Sequence, residues 1–481
     1  MATLNVHAFQ DDALGDGDAV GTAERIRNGE VSASEVIAAA IARCRAVDPQ
    51  IAAVVEDDFD RAMQRVETPS DSSAAFHGIP TFIKDLVAVE GLTMRFGSHA
   101  FDHAKPSTKN GPIVQQMLDM GFINLGTSTL PEFGFTPSTE FPDSPPTRNP
   151  WNLDHSAGGS SGGAAALVAA GVVPIAHGAD GGGSIRIPAA ACGLVGLKCS
   201  RGRLLQEAAV RMMPVNIVVD GVLSRSVRDT ALYFAEAEKR HYNPRLPRMG
   251  LVDHPVDRPL RIGMLLHSPV GADVDAPTEH TFHETVKLLT DLGHEVIPTE
   301  IPVDNQFKED FCHLYATGGF IVHRLGKYAF GSNYDPEALT DLTKGLSREF
   351  AARPGKTLGA IRRLRRTAVE YAATFEHIDV FLSPVVSKVA PPIGHLGMDL
   401  PYDILFPRVI DWACYTPYCN ATGGPSISLP LGHDNTTNLP VGMLFSAAHG
   451  QERLLLELAL QLETAKPWAR IQDAPALGAS R

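Results

Sequence analysis

The chain between Leu260 and Ile301 reads "LRIGMLL" (260–266), then "HTFHETVKLLTDLG" (280–293), then "HEVIPTEI" (294–301). The outer segments are short and aliphatic, which suits strands. The middle one reads as a helix. Strand, helix and strand in succession are the mark of an α/β chain. Downstream, "GPSISLPL" (424–431) and "GMLFSAA" (442–448) read as strands, and Glu452–Ala465 as a helix. Upstream, a small-residue helix is expected over 164–171 and a buried strand over 172–177. A helix over 112–121 precedes the strand "FINLGTS" (122–128). "IPTFIKDLVAV" (79–89) reads as a buried strand leading into a turn, with one lysine, Lys84, inside it. Residues 18–66 read as helices. There Ser32-Ala-Ser-Glu35 is a capping box, and Ile37, Ala40, Ile41, Cys44 and Val47 form a core stripe. No repeat, low-complexity tract or interdomain linker interrupts the pattern. One α/β domain over 1–481 is expected.

The 481 residues carry 42 Lys+Arg against 55 Asp+Glu, a net charge of −13. That balance disfavours nucleic acid and anionic membrane as partners. The basic run Arg362-Arg-Leu-Arg-Arg366 reads as a solvated helix face. The six cysteines make no C-x-x-C pair, so neither a zinc framework nor a disulfide scaffold is expected. The opening Met1-Ala-Thr-Leu-Asn-Val-His-Ala lacks the regions of a signal peptide, and Ala164–Ala176 is too short to span a bilayer. A reduced, cytoplasmic setting is the expectation, and a homo-oligomer stays open.

Two glycine–serine runs carry the chemistry. "AGGSSGGAAALVAAG" (157–171) fits G-x-S-x-G, but "NPWNLDHSAGG" before it does not read as the strand a nucleophile elbow needs. No G-K-[ST] follows, which excludes a phosphate loop. "GADGGGSIR" (178–186) places three glycines ahead of Ser184. Successive glycine N–H groups can converge on an oxyanion beside that hydroxyl. A tight turn with Ser184 as a helix cap explains the same letters equally well. None of the 18 histidines stands in a recognisable triad setting, and His280-x-x-His283-Glu284 does not match a zinc protease motif. Lys84 is a possible base, since burial favours its neutral amine. Its alternative is an ion pair with Asp85 or another carboxylate.

Together these segments resemble the amidase signature family. The resemblance rests on Gly158-Gly-Ser-Ser-Gly-Gly163, Gly178–Arg186 and Ile187-Pro-Ala-Ala-Ala-Cys-Gly-Leu-Val-Gly-Leu-Lys198. Pro80-Thr-Phe-Ile-Lys-Asp85 and Arg148-Asn-Pro-Trp-Asn-Leu153 also fit, and weaker likeness continues through 422–431 and 439–447. It divides the single domain into an N-terminal helical segment (18–66), a catalytic core (78–203) and the remainder of the sheet with covering helices and pocket loops (204–481). It implies a large mixed β-sheet covered by helices on both faces. It also implies Ser184 as nucleophile, Lys84 as base, and Ser160, on a cis peptide, as the bridge between them. Backbone amides of Gly181, Gly182, Gly183 and Ser184 would form the oxyanion hole, with Gly134 near the substrate. Asp180 and Arg186 would hold the loop, and Ser161 would orient the relay.

The implied activity is hydrolysis of a small-molecule amide to acid plus amine or ammonia, with no metal or cofactor. Carbamate, ester or nylon-type oligoamide hydrolysis and a glutaminyl-tRNA amidotransferase subunit are the alternatives. Three departures from the family pattern stand out: Gly181 in place of Thr or Ile, Cys199 in place of a proline, and Thr127 in place of a lysine. The pocket is expected between the loop 131–143 and parts of 310–420, with an apolar mouth.

Overall fold

The computed structural model describes residues 5–68, 71–271 and 273–473. Met1–Leu4, part of the opening stretch read for a leader, lie outside them. Strands β1 (Val54–Asp57), β2 (Ile79–Lys84) and β3 (Phe122–Ser128) form a small sheet in the order β1-β3-β2. Strands β4 (Arg148–Asn149) and β5 (Asn152–Ser156) make a separate two-stranded ribbon. The large sheet has eight strands: β6 (Ile175–Asp180), β7 (Val195–Lys198), β8 (Val219–Ser224), β9 (Arg261–Met264), β10 (Glu295–Pro298), β11 (Val380–Pro384), β12 (Ser426–Asp434) and β13 (Leu439–Ala447). Their order is β10-β9-β11-β13-β12-β7-β8-β6. Strands β9, β10 and β11 pair in parallel and the remaining ladders are antiparallel, so the sheet is mixed.

Period-two alternation sends side chains of this sheet to two apolar cores. Ile427, Leu429, Met443 and Phe445 pack with the helices Val227–Arg240, Ala276–Asp291 and Glu452–Ala465. Leu223, Leu444 and Ala176 face the other way, onto the helices Gly162–Ala169 and Arg186–Cys192. Every residue of Gly162–Ala169 is buried, and its composition of Gly, Ala, Leu and Val is apolar all round, as a fully enclosed helix must be. Helices therefore cover both faces. The stretch 260–301 forms β9, the helix Ala276–Asp291 and β10, as its pattern dictated.

Local readings need three corrections. Residues 18–66 are not all helical: the helix Ala33–Ile51 stops at Ala52, which turns left-handed at φ +51°, and β1 then pairs with β3. The strand expected over 172–177 runs instead from Ile175 to Asp180, starting only after Pro174, which cannot donate to a ladder. The segment before Ser160 does contain a strand, β5, but it belongs to the partly exposed ribbon and is no buried lead-in to a nucleophile elbow.

The capping box forms as read, with Ser32 Oγ accepting from Glu35 N–H and the Glu35 carboxylate accepting from Ser32 N–H. On the helix Thr357–Thr374, Leu364 is buried while the four neighbouring arginines are exposed. One of them, Arg363, is held by Asp310 at 2.7 Å. His280, His283 and Glu284 are exposed on their helix. Among the described residues no helix is long and apolar enough to cross a membrane.

Candidate active site

The two sheets abut where β2 lies against β6, and Thr81 Oγ1 donates to the Ile175 carbonyl at 3.0 Å. All six residues of β2 are buried, and Lys84 ends it. Its Nζ donates to Ser160 Oγ at 2.8 Å, to Ser161 Oγ at 3.0 Å and to the Ala179 carbonyl at 3.2 Å. The alternative ion pair does not form. Asp85 turns away and accepts from the Arg95 amide, and burial pushes its carboxyl up to about 7. Burial pushes the Lys84 amine down to about 7, against the opposing pull of Asp180 and Asp220. A large share of it is free base at neutral pH, which is the form that can take a proton.

Ser160 follows a cis Gly159–Ser160 peptide and precedes the helix Gly162–Ala169. The Ser161 amide donates to the Ser184 carbonyl at 3.2 Å, so the two serine loops touch. Ser184 is not a helix cap. The helix after it starts at Arg186, with Ile185 in the cap position and no side-chain cap bond.

Asp180 organises the turn. Its carboxylate accepts from Gly183 N–H at 2.8 Å, from Ile185 N–H at 3.1 Å and from Asn420 Nδ2 at 2.8 Å. It also receives Arg186 as a fork, Nε at 2.9 Å and Nη2 at 2.8 Å. Burial alone would push this carboxyl up, but the Arg186 guanidinium outweighs it and holds Asp180 well below the usual carboxylate range. Arg186 is itself fully buried and spends Nη1 on the Thr416 carbonyl and Ser426 Oγ.

The same bonds correct the expected oxyanion set. The Gly183 amide is taken by Asp180 and is unavailable to a substrate oxygen. The amides of Gly181, Gly182 and Ser184 have no acceptor among the described residues.

At two points of this turn a side chain would collide with its surroundings. A Cβ on Gly182 would sit 2.5 Å from the Tyr315 hydroxyl. Gly183 has φ +133°, and a Cβ there would sit 2.3 Å from Thr416 Oγ1. Gly181 is different: its Cβ would press on Val218 at 3.3 Å, tight but not prohibitive. A side chain at this position would need Val218 to give by a few tenths of an ångström.

Ser184 opens onto a pocket of about 1080 Å³, a volume that includes space open to solvent. Gly134–Pro137 form one wall, and Phe307, Phe311 and Tyr315 another. Gly134 sits at φ +71°, and a Cβ there would lie 2.8 Å from Ser160 Oγ. Lys308 alone among the lining residues is charged. The expected segments, 131–143 and 310–420, do line the pocket. Sequence reasoning missed Pro269, Val270 and the stretch from Ile301 to Lys308, together with Leu444 and Ser446 from β13.

The Amidase family model matches residues 35–456. The chain belongs to the amidase signature family. AmiC of Mycobacterium leprae, whose name assigns it to the amidases, is 45% identical over 97% of this chain and 99% of its own length. The structure of a 6-aminohexanoate cyclic dimer hydrolase complexed with substrate superposes with a TM-score of 0.87 at 30% identity, covering 97% of this chain and 99% of that one. A bacterial aryl acylamidase of the amidase signature family gives 0.83 at 27% identity, over 97% and 99%. The large mixed sheet with helices on both faces is the architecture of these amidases, and amide hydrolysis is the activity of the group.

Several residues around the site escaped sequence reasoning. Asn420 bridges the Asp180–Arg186 clamp, accepting from Arg186 Nη2 at 2.6 Å and donating to Asp180 Oδ1 at 2.8 Å and to the Asp180 backbone carbonyl at 3.0 Å. Thr416 Oγ1 donates to the Gly182 carbonyl at 2.6 Å. Both lie more than two hundred residues from the turn they brace, and no local pattern marks them. His177 and Asp220 flank Lys84 from β6 and β8. The histidine inside the buried strand "IAHGAD" was the one local signal of this pair.

Proposed function

We propose that this amidase hydrolyses carboxylic amides bearing apolar groups through an acyl-enzyme on Ser184, with Lys84 and Ser160 as the proton relay. The observation that carries this reading is the 2.8 Å bond from the buried Lys84 amine to Ser160 Oγ, beneath a pocket that Ser184 lines. Neutral Lys84 takes the Ser160 proton as Ser160 takes that of Ser184. Ser184 Oγ then attacks the amide carbonyl. The negative oxygen that forms is met by the free amides of Gly181, Gly182 and Ser184, which are fixed in place before the reaction. The proton returns along Ser160 to the departing nitrogen, which leaves as free amine while the acyl group stays on Ser184 as an ester. Water enters, gives a proton to the same relay and cleaves the ester. Asp180 and Arg186 hold this arrangement in shape and touch no reacting atom, while Ser161 accepts from the Lys84 amine and orients it.

The pocket supports an apolar substrate, because most of its walls are aliphatic or aromatic. Its volume of about 1080 Å³ and the likeness to a cyclic dimer hydrolase of 6-aminohexanoate favour oligoamides as a second substrate class. The test is a panel of primary amides, anilides, lactam oligomers, carbamates and esters, offered to the purified chain without ATP or partner proteins. Turnover of amides by the wild type, none by Ser184→Ala, and fluorophosphonate labelling of Ser184 are the expected results. Labelling at another residue, or a strict need for partner proteins, would overturn the proposal.

A further inference from the structure

β6 is the edge strand of the large sheet, and the smaller sheet presents the end of β2 to it. His177 stands in the middle of β6 and is fully buried. Its Nδ1 lies 3.3 Å from the backbone nitrogen of Lys84, and its Nε2 lies 3.1 Å from Asp220 Oδ1. A backbone amide can only donate, so Nδ1 is the acceptor and carries no proton. The ring proton is then on Nε2, where it is donated to the carboxylate. Two neighbours thus select one tautomer of the imidazole.

The register explains why Asp220 is the partner. His177 stands opposite Val222, and Ala179 opposite Asp220, so His177 and Asp220 are diagonal neighbours on one face of the β6–β8 ladder. Ala179 supplies the carbonyl that accepts from Lys84 Nζ. Strand β6 therefore holds Lys84 at both ends, its backbone through the His177 ring and its amine through Ala179.

We propose that the His177–Asp220 pair is a positioning element for Lys84, fixing the end of β2 so that the amine meets Ser160 and keeping a carboxylate behind that amine. The proposal rests on Lys84 being the base. The charged groups acting on the Lys84 amine are Asp180 and Asp220. Asp220 in turn faces His177, Glu207, Cys199 and Tyr233, of which none carries a positive charge in the arrangement described. A nearby carboxylate favours the charged form of an amine, so its removal lowers the pH at which Lys84 becomes free base.

Asp220→Asn keeps an acceptor for the His177 proton and nearly the same shape. The expected result is a folded enzyme whose acid limb in kcat/KM moves to lower pH by about 0.5–1 unit. His177→Phe keeps a ring of similar size but loses both hydrogen bonds. It is expected to lower kcat by roughly 10–100-fold with KM nearly unchanged, since the amine is displaced while the pocket is not. His177→Asn, which returns an acceptor toward the Lys84 amide, is expected to recover part of that loss. An acid limb identical to wild type in Asp220→Asn overturns the proposal, as does wild-type kcat in His177→Phe. Should His177→Phe fail to fold, the Asp220→Asn profile decides alone. Lys84→Met separates the two levels: if it remains active the relay itself fails, and if it is inactive while Asp220→Asn is unchanged only the positioning role fails.

Discussion

Lys84→Met should kill the enzyme and stabilise it, and the gain should depend on pH in a defined way. The folded lysine sits at about 7 against an ordinary value of 10.5, because burial disfavours its charged form. Between those values the unfolded chain binds a proton that the folded chain does not, so the stability contributed at this position rises with pH across the window. The full cost, about 5 kcal/mol, is present below pH 7 and vanishes above pH 10.5.

Methionine occupies a similar volume and removes that cost at every pH. It also removes the donor to Ser160, Ser161 and the Ala179 carbonyl, a loss of about 1–2 kcal/mol in total, because Ser161 and Ala179 keep their bonds to each other. The variant should therefore be more stable than wild type by about 3 kcal/mol at pH 7, and about equal to it at pH 10. Other titrating groups are common to both proteins and largely cancel in the comparison. Urea titrations of both proteins at the two pH values measure it. A stability difference that is the same at pH 7 and pH 10 would refute the account of Lys84 as a lysine held near neutrality, and with it the free base.

The wild-type kcat/KM should rise through an acid limb near pH 7 and level off above it, as a stopped assay on an anilide across pH 5–10 would read. Gly134→Ala should lower kcat by roughly 100-fold and cost about 1–2 kcal/mol in unfolding, because the new methyl meets Ser160 Oγ at 2.8 Å and stands at φ +71°, where an L side chain is strained. Asp180→Asn should cost about 3–5 kcal/mol in a denaturation experiment, since it leaves the fully buried Arg186 without its counter-charge. An Asp180→Asn protein that unfolds like wild type would show that Asn420 and the carbonyls satisfy Arg186 unaided.

The features legible in the sequence were those encoded locally. Strands β9 and β10 with their intervening helix follow from side-chain period alone, and the helix Glu452–Ala465 was placed to the residue. The lysine inside an apolar strand was visible as a cost, and that cost is what the structure turns into a lowered amine. What the sequence hid was long-range. "GADGGGSIR" does not say that Gly183 spends its amide on Asp180, because that depends on a carboxylate bent back over the turn. Nor does anything near Asn420 or Thr416 signal that they brace residues far upstream. The break of the helix at Ala52 was missed because a left-handed alanine carries no glycine to announce it.

The proposed base and nucleophile stand on opposite sides of the join between the two sheets, Lys84 on β2 and Ser184 just beyond β6. During synthesis β2 emerges first and β6 almost a hundred residues later. A chain caught before the edges close carries a solvated, protonated lysine and a serine with no base. Neither can cut an amide. Reactivity is thus withheld until assembly is complete, and the fold acts as its own safety catch.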